Sequence, residues 1–205
     1  MIKAKNISVT AEQRKSDLGS ANVSGLIEGT KICTARGFER IEDIEVGARV
    51  VTYNSGLQTV RAVRRTRVWA KGAGPRSEQP LFVPAGAIGN TQDMVLLPHQ
   101  TVLVESNAAQ AALGDAFVLM MAKDLVGVGG ISRITPDMPA TVVTLEFDNE
   151  EVIFAASGAM CICPAQGDAD AREGGREYRT LKSLSDAGLV AAVRTELNGT
   201  LAQAA

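Results

Sequence analysis

Short apolar runs separated by turn residues fill the middle of the sequence. Lys31-Ile32-Cys33-Thr34 and Arg49-Val50-Val51-Thr52-Tyr53 are rich in β-branched side chains, which is typical of strands. Asn54-Ser55-Gly56 follows the second run and predicts a hairpin, because glycine adopts the positive φ that tight turns require. Runs of the same kind predict further strands at 58–69, 81–84, 94–97, 101–105, 117–120, 131–135, 141–147 and 151–155.

The segments between these runs carry turn signals rather than long helical patterns. We predict turns at Gly37, at Asp148-Asn149 and within the glycine cluster of residues 127–130. Ile41, Ile44 and Val46 predict a single helical turn that Gly47 closes. Many short strands at this spacing favour an all-β sandwich or barrel-like fold with mostly antiparallel pairing, rather than alternating βαβ units.

The two ends of the chain differ from the middle. Residues 1–22 are polar, and we interpret them as a flexible N-terminal arm that precedes a domain at 23–164. Residues 165–177 are small, charged and glycine-containing, which is typical of a linker. A short C-terminal helix is predicted within 165–205 by five apolar residues at roughly helical spacing, namely Leu181, Leu184, Leu189, Val190 and Val193.

Composition narrows the classes of partner and the cellular location. Hydrophobic residues make up 45% of the 205 residues and aromatic residues only 4%, so the core must be aliphatic. The formal charge of −2 favours neither nucleic acid nor a membrane surface as an obligatory partner. No apolar stretch predicts a transmembrane helix or a cleavable signal peptide, and we therefore expect a cytoplasmic protein.

One run of basic residues stands out on the predicted strand 58–69 and just beyond it. A nucleic-acid or phosphate-binding strand is one interpretation. A solvated strand face is the favoured one, since valines are interleaved with the charges and exposed charge protects a sheet edge from aggregation. The run consists of Arg61, Arg64, Arg65, Arg67 and Lys71.

The candidate metal ligands are few. Cys33, Cys161, Cys163 and His99 form a conceivable Cys₃His set, but a Cys-x-Cys pair fits the usual zinc spacing poorly. Cys33 lies in an apolar strand and is interpreted as a small buried hydrophobe. We expect no metal and no cofactor, and the sequence has no glycine-rich phosphate loop and no Gly-x-Ser-x-Gly element.

Several blocks in the middle zone resemble the Hint domain of hedgehog C-terminal regions and inteins, and most closely a bacterial subgroup of alphaproteobacteria. The resemblance implies a horseshoe-like all-β fold with two pseudo-symmetric halves. Gly25-Leu26-Ile27-Glu28-Gly29-Thr30 is similar to the family's opening Cys-Phe-x-x-Gly-Thr. The other blocks, in the same order as in the family, are residues 37–47, 84–90, 93–104, 145–148 and 151–155.

The resemblance also implies a chemistry, autocatalytic cleavage at the N-terminus of the domain. A nucleophile on the first residue attacks the preceding carbonyl and converts the peptide into an ester or thioester. A second group protonates the departing amide nitrogen, a role that suits a histidine. The family supplies a cysteine at the first position and a Ser/Thr-x-x-His element in the middle of the domain.

This sequence departs from the family at both places. Gly25 stands where the nucleophile is expected, and Leu97 and Gln100 stand where the hydroxyl and the imidazole are expected. Ala48 replaces the acid that usually follows Gly47. Losing members of a cooperating set removes most of the rate. The sequence therefore predicts a Hint domain that is degenerate in self-cleavage and acts as a structural or interaction module for an unidentified protein partner.

Two alternatives stay open. In the first, Ser24 attacks Val23 with His99 assisting, although a one-residue shift along a strand turns a side chain to the opposite face. In the second, the thiols form a metal- or thiol-dependent binding module. Full splicing is disfavoured because residues 159–164 contain no asparagine for the second cleavage.

Overall fold

The computed structural model describes residues 23–69, 72, 74–167 and 178–204. The predicted arm at 1–22, residues 168–177 of the predicted linker, and Lys71 of the basic run lie outside the described residues. Within the described part of the chain, no helix is both long and apolar enough to cross a membrane.

Short strands dominate the described residues. Two α-helices accompany them, α1 (Asn107–Leu113) and α2 (Ala187–Ala204), with short 3₁₀ helices at Ile41–Asp43, Arg76–Glu78 and Ala122–Leu125. The strands are β1 (Leu26–Ile27), β2 (Lys31–Thr34), β3 (Gly37–Arg40), β4 (Arg49–Thr52), β5 (Gly56–Thr59), β6 (Ala62–Val68), β7 (Leu81–Val83), β8 (Met94–Leu96), β9 (Thr101–Glu105), β10 (Phe117–Met121), β11 (Ser132–Arg133), β12 (Ala140–Glu146), β13 (Glu151–Ala155), β14 (Ala159–Cys163) and β15 (Arg179–Thr180).

The strands form two sheets. The six-stranded sheet has the order β11-β7-β8-β1-β12-β6. The nine-stranded sheet has the order β15-β10-β9-β14-β13-β2-β4-β5, with β3 paired to β2. The named strands pair antiparallel except β10 and β15, which confirms the predicted all-β, mostly antiparallel fold with a C-terminal helix. The first strand, β1, lies inside its sheet, where Leu26 is opposite both Leu96 and Val143.

The core is aliphatic, as the low aromatic content predicts. Alternate residues of β9, β10 and β14 point inward, so that Val102, Val118 and Cys161 are at most 1% exposed. The one large aromatic side chain that is fully buried among the described residues is Phe147. Leu26 of β1 belongs to this same core cluster, which anchors the beginning of the domain in the sheet.

The predicted strand at 58–69 is wrong as a single strand. β5 belongs to the nine-stranded sheet and β6 to the six-stranded sheet, and the chain passes between them at Val60, which is fully buried. An uninterrupted β-rich sequence carries no local sign of this change of sheet. The turn predicted at Gly37 is present one residue earlier, at Ala35 and Arg36, and Gly37 begins β3 opposite Thr34.

The helical predictions also need correction. The apolar spacing placed Leu181 and Leu184 in the terminal helix, but α2 begins at Ala187. Leu181 is buried before the helix, and Leu184 is 96% exposed in the turn between them. The helical turn predicted at residues 41–47 is a 3₁₀ helix over its first three residues only. The glycine turn at 127–130 is confirmed.

Candidate functional site

Both polar groups of the peptide bond between Ser24 and Gly25 are held by side chains. The Gly25 N–H donates to Oε1 of Gln100 at 2.9 Å, and this contact is buried. The Ser24 carbonyl oxygen accepts from the Thr144 hydroxyl at 2.5 Å. This bond lies immediately before β1, so the sheet fixes its position through β8 and β12.

Gln100 is 1% exposed and all of its amide hydrogens are used. Its Nε2 donates to the carbonyl oxygens of Thr101 and Ile162, each at 3.0 Å, while Oε1 accepts from Gly25. The residue lies at the end of a turn in which its own N–H donates to the Leu97 carbonyl. The side chain therefore joins β1, β9 and β14, and an amide in this position transfers no proton at neutral pH.

A side chain at position 25 has no room. Gly25 has a φ of +142°, where L-residues are strained. A Cβ built on it lies 2.6 Å from the carbonyl oxygen of Val143, 2.8 Å from the Thr144 hydroxyl and 2.9 Å from a methyl group of Val142. Contacts this short do not occur for real Cβ atoms, so β12 fills the space that a nucleophilic side chain would need.

His99 and Ser24 occupy different surroundings. Burial lowers the pKa of His99, as does nearby Lys123, and the charges that face it come from Glu78, Lys123, Asp124 and Arg133. Ser24 is exposed at the entry to β1. The structure contains no hydrogen bond between the two side chains, whereas it brings Gly25 and Gln100 into direct contact.

Thr30 has a local role. Its hydroxyl donates to the Ile27 carbonyl at 2.6 Å and its N–H donates to the same oxygen at 3.1 Å, which closes the turn between β1 and β2. The predicted roles of Ser24, Gly25, Thr30, His99 and Gln100 stay predictions, because geometry alone assigns no activity to them.

Sequence reasoning missed Thr144. It lies in an apolar stretch of β12, where a threonine is a common strand residue and carries no local mark of a function. Its importance comes from β12 lying directly beside β1, a long-range contact that the resemblance did not supply.

The cysteines do not gather around a common centre. Cys161 and Cys163 are buried on the inner side of β14, and burial raises the pKa of Cys161 to about 12 and that of Cys163 further still. Cys33 lies on the outer face of β2, away from the buried Ile32 and Thr34, and is half-buried. It is therefore more accessible than predicted, since the sequence indicated a small buried hydrophobe. Among the described residues, no three His, Cys, Asp or Glu side chains are placed to hold a metal ion.

The arginines of the basic run lie on or beside β6, at an edge of the six-stranded sheet. Arg61 makes a two-pronged contact with Asp148, Arg64 pairs with Glu146, and Arg65 donates to two backbone carbonyl oxygens near the 3₁₀ helix Ile41–Asp43. These partners all belong to the same chain, which accords with the predicted solvated strand face at a sheet edge protected by charge.

The family model described as a Hint domain matches residues 24–161. The chain belongs to the Hint domain family. The match begins at the Ser24–Gly25 peptide bond and spans both sheets, whereas α2 and β15 lie beyond it.

Solved structures of inteins and intein-like domains are similar to this Hint domain in fold. The solution structure of a bacterial intein-like domain from Clostridium thermocellum has a TM-score of 0.50 and 17% identity, covering 68% of this chain and 98% of that one. A splice-inactive variant of the AceL NrdHF class 3 split intein has a TM-score of 0.42 and 18% identity. The match covers 69% of this chain and 98% of that one. The gp41-1 intein has a TM-score of 0.41 and 14% identity, and the match covers 66% of this chain and 97% of that one. No curated protein matches the sequence significantly.

Proposed function

We propose that this Hint domain does not cleave itself and serves as a structural or interaction module. The observation that carries the proposal is the closed space at Gly25, where an added Cβ lies 2.6 Å from a backbone oxygen. Acyl transfer needs a nucleophile beside the carbonyl that it attacks, and this position offers neither a nucleophile nor space for one.

The surroundings of Gln100 support the same proposal. Cleavage requires a proton for the departing nitrogen, which in this chain is the nitrogen of Gly25. Gln100 faces that nitrogen as a hydrogen-bond acceptor and has no proton to give, since both of its amide hydrogens are bound to carbonyl oxygens. The side chain is suited to holding the peptide bond in place rather than breaking it.

Autoprocessing through Ser24 is the alternative, and the geometry offers it little support. Ser24 has no hydrogen bond to a base among the described residues, and His99 faces the charged groups of Lys123 and Asp124 instead. Serine is a weak nucleophile without a base within hydrogen-bond reach. Thr144 binds the Ser24 carbonyl, which is one residue after the carbonyl that Ser24 would attack.

Intact-mass spectrometry of the full chain tests the proposal. The protein is measured fresh and after prolonged incubation at neutral pH, with and without dithiothreitol, which releases thioesters. We expect one unchanged mass in every sample. A fragment beginning at Ser24 or Gly25 would contradict the proposal and favour autoprocessing.

The Ser24→Ala variant is the matched control for any fragment that forms. Scission in the natural sequence that disappears in this variant would assign the reaction to the Ser24 hydroxyl. Equal scission in both would exclude Ser24 as the nucleophile. Because Ser24 is exposed, the substitution leaves the fold intact.

A further inference from the structure

An apolar row crosses four strands on the outer face of the nine-stranded sheet. Phe38 of β3 pairs with Cys33 of β2, and Leu57 of β5 pairs with Val51 of β4. β2 and β4 pair at Thr34 and Val50, and Cys33 and Val51 are the next residues on the two strands, where both begin to pair with β13. Phe38 is 55% and Leu57 is 37% exposed, and Cys33 and Val51 are half-buried. We call these four residues the Phe38 row.

Cations border the Phe38 row on both sides. Arg40 and Lys31 are paired across β3 and β2, two residues along from Phe38 and Cys33. Arg49 lies on the other side, two residues along from Val51. Lys31 and Arg49 have no acidic partner among the described residues, and Arg40 reaches Glu42 only at 3.8 Å. The border is therefore positive on a chain whose net charge is −2.

We propose that the Phe38 row binds an amphipathic helix of a partner protein, a helix whose apolar stripe is flanked by acidic side chains. The inference rests on the proposed function, since it names the surface through which the Hint domain acts as an interaction module. Helices dock on exposed apolar surfaces through residues spaced about one turn apart, and charges beside the stripe select the partner.

The dimensions of the row fit such a helix. Four strands spaced about 4.8 Å apart give a row at least roughly 14 Å long, and the separation of β2 and β4 around β13 lengthens it. At 1.5 Å per residue this length corresponds to about nine helical residues, or between two and three turns. The cations lie about 7 Å to either side, two residues along the strands, within reach of side chains that flank an apolar helical stripe.

A second copy of the chain fits this face less well. A two-fold dimer through the Phe38 row would oppose like surfaces, and Lys31 and Arg49 of one protomer would approach cations of the other. Juxtaposed like charges disfavour association, whereas acidic residues on a partner helix would pair with them.

Fluorescence anisotropy with a designed labelled peptide tests the proposal. The probe is an amphipathic helix with leucines along one stripe and glutamates on both sides of it. We expect saturable binding that weakens with added salt, together with protection of the Cys33 thiol from a maleimide. The same peptide with lysines in place of the glutamates should bind at least about tenfold more weakly.

Variants locate the binding. Phe38→Ser and Arg49→Glu should each weaken binding by about tenfold or more. Met138→Ser is the matched control, because Met138 is an exposed apolar residue, 67% accessible, away from the nine-stranded sheet. It should leave binding unchanged. Circular dichroism of each variant establishes that the fold is retained.

Four results would overturn the inference. They are no binding of the glutamate peptide, equal binding of the lysine peptide, Phe38-dependent binding to vesicles of anionic phospholipid, and a Phe38-dependent dimer in sedimentation. Unchanged intact mass without peptide binding would reject this surface and leave the proposed function standing. Self-cleavage would reject the proposed function, whatever the peptide does.

Discussion

The Gln100 side chain accepts a hydrogen bond from the Gly25 N–H but cannot exchange a proton with it near neutral pH. An imidazole or a carboxamide in this position can accept the hydrogen of Gly25 N–H, but only the imidazole exchanges a proton near neutral pH. Gln100 therefore preserves the hydrogen-bonded arrangement around the Ser24–Gly25 bond. Its structural contribution can be measured apart from any cleavage.

Truncating Gln100 should destabilise the fold. Gln100→Ala leaves the buried Gly25 N–H without its acceptor and removes one donor from each of the Thr101 and Ile162 carbonyls. We expect the free energy of unfolding to fall by about 2–4 kcal/mol, because unsatisfied buried groups keep their desolvation penalty. Urea unfolding followed by the fluorescence of Trp69 measures this. Gln58→Ala, which removes one exposed hydrogen bond to Ser55, should cost less than about 0.5 kcal/mol, and equal losses would refute the argument.

Gly25 and Gly29 separate two reasons why a position requires glycine, namely the backbone conformation and the space around the Cα atom. Both have positive φ, but a Cβ meets β12 at Gly25 and meets nothing within 4 Å at Gly29. Gly29→Ala should cost about 1 kcal/mol from backbone strain alone. Gly25→Ala should cost at least about 2 kcal/mol more, since β12 must shift. The urea midpoints of the two variants give the comparison, and similar values would show that the clash relaxes freely.

The residue types at this site could be read from the sequence only in part. The resemblance placed Gly25 and Gln100 at matching family positions, and the structure puts them in contact. Thr144 carried no signal, because a threonine inside a strand is ordinary and its role depends on β12 lying next to β1. Contacts between strands distant in sequence are what single-sequence reasoning lacks.

At the scale of elements, one carboxylate ties the two α-helices together. Glu196 of α2 accepts hydrogen bonds from the Ser106 hydroxyl, the side chain of Asn107 and the backbone N–H groups of Asn107 and Ala108. These hydrogen bonds, that from Ser106 foremost, lower the pKa of Glu196 to about 2. The N-terminus of α1 is thereby capped by another helix as well as by its own Ser106.

This cap makes a pH-dependent contribution to stability. The pKa of Glu196 is lower in the folded chain than in the unfolded one, so its contribution is present above about pH 4.5 and is lost as the pH falls towards 2. Glu196→Gln should cost about 1 kcal/mol at neutral pH and progressively less below about pH 4.5. Urea unfolding of both proteins across this range measures the difference. The control Glu45→Gln, at an exposed position, should change the free energy of unfolding by less than about 0.5 kcal/mol at neutral pH.

The elements differ in how visible they are in the sequence. β2, β9 and β13 were predicted at their observed bounds, because each is a short β-branched run between turn residues. α1 was missed although Ser106 and Gly114 flank it as an N-cap and a left-handed C-terminal residue, so here the signal existed. β1 has only two residues and is defined wholly by its neighbours in the sheet, so no local pattern could reveal it.

At the scale of the whole molecule, the thiols report on the packing of the nine-stranded sheet. Cys33 is half-buried on the outer face, whereas Cys161 and Cys163 lie inside with raised pKa values. A colorimetric thiol reagent should titrate one thiol in the native protein and three in denaturant, because buried thiols form little thiolate. Cys33→Ser should abolish the native reaction. Rapid reaction of all three thiols in the native protein would mean that β14 opens readily.

The crowding of Gly25 by β12 has a consequence for how such sequences change over generations. A single codon change that introduced a nucleophile at this position would meet the Val143 backbone oxygen, which no side-chain substitution removes. Any lineage carrying this arrangement must first move the path of β12, and only afterwards can it gain from a thiol or hydroxyl at the start of β1. The backbone therefore constrains the order of substitutions, because a side chain at position 25 requires a prior shift of β12.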